Sequence, residues 1–234
     1  MNAFAFVLLA VLCASANAAA VHGISTSAKQ QVQTKIISSS AAIDLRDRIV
    51  SSGGCNANVC FAVDGSGSIN STQFRSELNF VTDIVSIIAA TDPVGLAAVQ
   101  YSTGTRAISE FTTNDFGFIP AVDRTRQLFG QSFVAGGINF CFAELFNAGG
   151  PVNKIVLLGD ARSNIGSSAI RRADQFRAVG GTVCSVAAGT NPDRDALLGI
   201  AGGDPDLVFE VDDFINVIEL SNIIEKLVEQ ICRL

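Results

Sequence analysis

The chain has 234 residues, of which 48% are hydrophobic and only 16% charged, and its formal net charge is −6. That length suits one α/β domain with short extras, and the apolar fraction excludes a disordered polymer. The acidic balance and the lack of a basic stripe exclude the electrostatic footprint of a nucleic-acid binder.

Residues 1–18 read as a secretory signal peptide. Phe4–Leu12 is a short apolar core, and Ala16-Asn17-Ala18 follows as a small-x-small cleavage site, although the segment has no Lys or Arg before the core. The core is too short to span a bilayer, so the mature protein is expected to be soluble, secreted and extracellular. Residues 19–54 are rich in Ser, Ala, Thr and Gln, with a brief amphipathic stretch from Ile43 to Ile49. They read as a linker or pro-segment that docks weakly at most. The domain proper is expected over residues 55–234.

Once Cys13 leaves with the signal, Cys55, Cys60, Cys141, Cys184 and Cys232 remain. Cys55 and Cys232 bracket the domain, and a bridge between them would close a very long loop, worth up to ~4–5 kcal/mol in the chain-entropy model. The other three cannot all pair with one another, so one is a buried free thiol or bonds a second chain. The spacings do not suit zinc, and His22, the single histidine, precedes the domain.

From Cys55 onward apolar strands alternate with helical periodicity, the pattern of βαβ units. Val59–Val63 is the first expected strand, and a helix follows from about Ser71 to Ala90. Val94–Tyr101 and Arg106–Phe111 form a hairpin across Ser102-Thr103-Gly104 that sets an antiparallel strand at the sheet edge. Weaker helical segments run over Phe116–Leu128 and Asn139–Phe146. Lys154–Leu158, Thr182–Ala187 and Leu207–Glu210 are further strands, with helices near Ser168–Ala178, Asp193–Ala201 and Phe214–Ile231. The expected fold is a doubly wound, Rossmann-like α/β domain. Its six-stranded sheet is mostly parallel, with one antiparallel edge strand and helices on both faces.

The first strand ends abruptly in Asp64-Gly65-Ser66-Gly67-Ser68. One carboxylate and two hydroxyls at alternate positions converge in a glycine-spaced turn, an all-oxygen nest of the kind hard divalent cations prefer. Taken alone, the same residues also suit a capped strand-to-helix turn. Asn70-Ser71-Thr72 is an N-glycosylation sequon at the rim of this loop, and Asn70 equally suits the start of the following helix. No catalytic constellation is visible, so no enzyme activity is expected. The Gly65-x-Gly67 pair lacks the third glycine of a dinucleotide fingerprint, Ser66 is not in a Gly-x-Ser-x-Gly elbow, and the domain has no histidine base.

Across residues 55–234 this pattern resembles the von Willebrand factor type A domain. The resemblance is carried by Asp64-x-Ser66-x-Ser68, by the Val94–Phe111 hairpin, by Lys154–Asp160 with its terminal aspartate, and by Asp204–Phe214 leading into the closing helix. It implies a metal-ion-dependent adhesion site in which Asp64, Ser66, Ser68 and Asp160 hold Mg²⁺ (or Mn²⁺ or Ca²⁺). An acidic residue of an extracellular or matrix protein ligand would then complete the coordination sphere. Half-cystines like Cys55 and Cys232 resemble those of matrilin and collagen VI-type matrix domains. The family also supplies a threonine from a Gly-Gly-Thr-Asn-Thr loop, which the resemblance sets against Gly136-Gly137-Ile138-Asn139-Phe140. With Ile138 in the threonine's place, weak or altered metal binding is expected. The alternative is a structural matrix protein with a decayed metal site, assembling by protein contacts or an intermolecular disulfide.

Overall fold

The computed structural model describes residues 39–90, 94–150, 152–162, 166–188, 191–211 and 217–233. The expected signal peptide and His22 lie outside the described residues. In chain order the elements are α1 (Ser39–Ser51), β1 (Asn58–Asp64), α2 (Ser71–Ile88), β2 (Gly95–Tyr101), β3 (Thr105–Thr112), α3 (Asp115–Asp123) and α4 (Val134–Ala148). There follow β4 (Asn153–Gly159), α5 (Gly166–Ala178), β5 (Thr182–Ala188), α6 (Arg194–Ile200), a 3₁₀ turn (Pro205–Leu207), β6 (Val208–Val211) and α7 (Val217–Cys232).

The six strands are ordered β3-β2-β1-β4-β5-β6. Neighbouring strands run parallel except β3, which pairs antiparallel with β2 at the edge. The central strands are buried on both faces, which is why β1, β2 and β4 read as continuous apolar runs rather than alternating ones. Alternation still sorts their side chains. Val59, Phe61 and Val63 of β1 pack with α2, α3 and α7, whereas Cys60 and Ala62 pack with α4 on the other face. This doubly wound arrangement is the one the alternating pattern implies.

Two boundaries differ from the sequence reading. Part of the segment taken as a weakly docked linker is helix α1, whose Leu45 and Ile49 are buried in the core beside α2 and α7. Arg46 donates to the Ser86 carbonyl at 2.8 Å, and Arg48 reaches Glu225 and Glu229 on α7. Ile43 and Val50 are more than half exposed, so α1 lies on the core by a narrow stripe.

The second difference is α4, which begins at Val134 rather than Asn139. The Gly136-Gly137 pair reads as a loop because glycine weakens helices by about 1 kcal/mol each. Here a Cβ on Gly137 would sit 2.7 Å from Tyr101 Cδ1 and 3.3 Å from Ala62 Cβ. The missing side chain lets α4 press against the sheet, and that packing overrides propensity. Conversely, the helix expected through Leu128 ends with α3 at Asp123, leaving residues 124–133 as a loop.

Cys55 is joined to Cys232 and Cys60 to Cys141. The second bridge ties β1 to α4 beneath the loops. Cys184 is free and buried.

Candidate metal centre

The strand order reverses between β1 and β4, because the chain leaves β1 toward β2 on one side and returns to β4 on the other. In open α/β sheets ligands sit at the carboxyl ends of the strands at such a switch. Asp64 ends β1, and Asp160 directly follows β4. The two carboxylates are near enough for Asp160 to act electrostatically on Asp64. Between them stands Gly159 with φ +148, where a Cβ would lie 2.9 Å from Asp64 Cβ and 3.0 Å from Asp64 Oδ2. Only glycine allows this approach.

The Asp64 carboxylate is buried and orders its own loop. Its Oδ1 accepts the Ser66 backbone N–H at 2.8 Å, and its Oδ2 accepts the Ser132 hydroxyl at 3.2 Å. Ser66 Oγ and Ser68 Oγ are 2.8 Å apart, and Ser68 also bonds the Asp160 carboxylate. Asp160 Oδ1 accepts the Arg162 N–H at 2.9 Å. Among the described residues neither Asp64 nor Asp160 belongs to an ion pair.

Ser132 is the residue that the sequence reading missed. It comes from the loop between α3 and α4, which is bound backbone to backbone to the Asp64 loop. Phe129 N–H donates to the Gly65 carbonyl and Gly67 N–H to the Gly130 carbonyl, both at 2.8 Å. Gln127 Nε2 donates to the Ser66 and Ile69 carbonyls at 2.9 and 2.7 Å. Phe129 adopts φ +60 and Gly130 φ +97, and this turn delivers Ser132 to the carboxylate just before α4 begins.

Ile138, expected to intrude on the cation, is instead fully buried in α4 against the sheet. The glycine pair had misplaced the loop by six residues. Ile138 thus packs in the apolar layer between α4 and the sheet, and the ground for expecting a weakened site at that position is absent. The signal available in sequence was a hydroxyl residue between a glycine and the start of an apolar helical run.

Burial pushes Asp64 up to about 6, against the hydrogen bonds from Ser66, with Asp160 adding to the rise. Asp160 is also raised, mainly by burial, although the Arg162 N–H opposes this. The Arg162 charge also opposes the rise at Asp160 without offsetting burial, and it forms no ion pair with that carboxylate among the described residues. Among the described residues no three His, Cys, Asp or Glu side chains gather closely enough to hold a metal. The available donors are two carboxylates and the hydroxyls of Ser66, Ser68 and Ser132. Such a set leaves positions for water or an incoming oxygen and suits a hard divalent cation.

Asn70 is exposed and caps α2. Its Oδ1 accepts the Thr72 and Gln73 N–H groups at 3.0 Å, and Gln73 Oε1 accepts the Asn70 N–H in return. Phe129, whose N–H is bonded to the Asp64 loop, is 55% exposed at the rim of the site.

An open, doubly wound sheet with an Asp-x-Ser-x-Ser loop at its switch point defines a class of α/β binding domains. This chain belongs to the von Willebrand factor type A domain family, whose model matches residues 58–226. It is 30% identical over 201 residues to the mouse (Mus musculus) collagen alpha-5(VI) chain, covering 80% of this chain and 7% of that one. It is 30% identical over 126 residues to human vitrin, covering 50% of this chain and 18% of vitrin. The chain thus spans less than a fifth of the length of these matrix relatives. Proximal thread matrix protein 1 from the mussel byssus, solved with zinc in its own metal-ion-dependent adhesion site, shares the fold. Its TM-score is 0.67 at 22% identity, over 74% of this chain and 46% of that one. No helix among the described residues is long and apolar enough to cross a membrane.

Proposed function

We propose that this chain is a secreted adhesion or matrix-binding module that recognises a protein ligand through a bound divalent cation. Asp64, Ser66, Ser68, Ser132 and Asp160 would hold Mg²⁺, Mn²⁺ or Ca²⁺, and an acidic side chain of the partner would complete the sphere. The observation that carries this reading is the buried Asp64, tied by Ser66 and Ser132, facing Asp160 with no ion-pair partner. Two carboxylates at one switch point repel each other unless a cation neutralises them.

The family membership and the matrix relatives support the adhesive role and the extracellular setting. They also support a non-catalytic module. The second reading, a matrix component joined by an intermolecular disulfide, loses ground because Cys184 is enclosed and the other described cysteines are paired. Calorimetric titration of Mg²⁺ and Mn²⁺ into the purified protein tests the proposal, with Asp64→Ala as the silent control. Absence of heat with the unmodified chain would discard it.

A further inference from the structure

Arg75, Arg106, Arg124 and Arg126, all exposed, gather at residues 123–126, where the chain leaves α3 for the loop that carries Ser132. Arg124 stands at the C-cap of α3, and Arg126 follows two residues later. From α2, Arg75 donates to the Asp123 carbonyl at 2.7 Å and to the Thr125 carbonyl at 3.3 Å. From β3, Arg106 donates to the Arg126 carbonyl at 2.6 Å and to Gln100 Oε1 at 3.2 Å. Neutral carbonyls hold these guanidinium groups in place and leave their charge uncompensated. None of these arginines forms an ion pair among the described residues, and Asp123, the acid within the segment, is exposed and pairs with none of them. Positive charge is thus concentrated at one place on a chain whose formal net charge is −6.

The cluster borders the cation site. Gln127, next to Arg126, donates to the Ser66 and Ile69 carbonyls, and the Ser71 hydroxyl donates to Gln127 Oε1 at 3.3 Å. Arg75 lies one helical turn beyond Ser71. Fixed positive charge beside a cation site repels the ion, so these arginines do not serve the metal. They suit what the metal would bind. We propose that Arg75, Arg106, Arg124 and Arg126 form a second recognition surface, continuous with the cation site, for an acidic segment of a protein partner. One carboxylate of that segment meets the ion, and its neighbouring acids meet the guanidinium groups. Phe129, its ring more than half exposed, lies in the chain between Arg126 and Ser132 and matches an apolar side chain between those acids, which a sulfated polysaccharide lacks. The inference rests on the cation reading for the first of these contacts.

The test follows a fluorescent oligo-glutamate peptide by anisotropy with the full chain in Mg²⁺, and a labelled heparin-derived oligosaccharide in parallel. The double variant Arg124→Gln, Arg126→Gln is expected to bind the peptide about tenfold more weakly, as two exposed charge contacts are lost. Its melting temperature and its Mg²⁺ affinity by calorimetry should not fall. Reversing both charges, with Arg124→Glu and Arg126→Glu, should abolish peptide binding. Added salt should weaken the peptide complex of the unmodified chain, and so should chelation of the Mg²⁺. Equal peptide affinity in variant and unmodified protein, no peptide binding at all, indifference to chelation, or binding of the oligosaccharide alone each overturn the inference and leave the cation reading standing. Absence of heat on adding Mg²⁺ to the unmodified chain removes both.

Discussion

Ser132 Oγ donates to Asp64 Oδ2 at 3.2 Å, although 68 positions separate them in the chain. The bond joins the loop after β1 to the loop before α4, and it makes Ser132 the hydroxyl that the third loop brings to the site. Ser132→Ala should therefore weaken Mg²⁺ binding by at least about tenfold. Ile138→Thr, which would restore a ligand if that position faced the ion, should leave affinity unchanged and destabilise the fold by about 2 kcal/mol, because it buries a hydroxyl in an apolar layer. Paired calorimetry and thermal melting separate the two positions, and a gain of affinity in Ile138→Thr would refute this placement.

Asp64 is held at about 6 in the metal-free protein, above its usual 3.8. Between those values the folded state keeps a proton that the unfolded chain has lost, so this group's contribution to stability falls as pH rises from about 4 through 6. The change is up to about 3 kcal/mol at 1.36 kcal/mol per unit. Metal-free unfolding measured in urea across that range should show the trend, and Asp64→Asn should flatten it. Mg²⁺ binding should run the other way, weakening as pH drops below 6, since the ion competes with the proton for the same oxygens.

The Cys55–Cys232 bridge closes a loop with a sequence separation of 177 and fastens the end of α7 beside the start of β1. Replacing both cysteines by Ser should cost up to about 5 kcal/mol in the chain-entropy model. Arg48→Ala, which frees Glu225 and Glu229 at the exposed side of α1, should change stability far less, because solvent screens these pairs. With the bridge intact, hydrogen exchange across residues 217–232 should not change on adding Mg²⁺. A metal-dependent change there would contradict a tethered α7.

Asn70 offers an exposed Nδ2 while its Oδ1 caps α2. Protein secreted from a glycosylating host should shift on a gel after glycosidase treatment. Thr72→Ala removes the sequon but keeps the Asn70 cap, so it should abolish the shift with little effect on stability. Asn70→Ala should in addition cost about 1 kcal/mol through the lost cap.

Leu45 and Ile49 anchor α1 in the core. Leu45→Ala should lower stability by about 2–4 kcal/mol, measured by denaturant unfolding, whereas a loosely docked segment would lose almost nothing.

What the sequence determined by itself was the alternation of strands and helices and the Asp64-Ser66-Ser68 turn. Each is written in neighbouring residues: apolar runs set the strands, and alternate oxygen donors separated by glycine set the loop. Tertiary structure decided which distant groups meet that loop. Ser132 reaches Asp64 because Phe129 and Gly67 exchange backbone hydrogen bonds with Gly65 and Gly130, a pairing without a side-chain signature. Gly136 and Gly137 misled for the complementary reason, since a residue without a side chain marks a loop and a close helix–sheet contact alike.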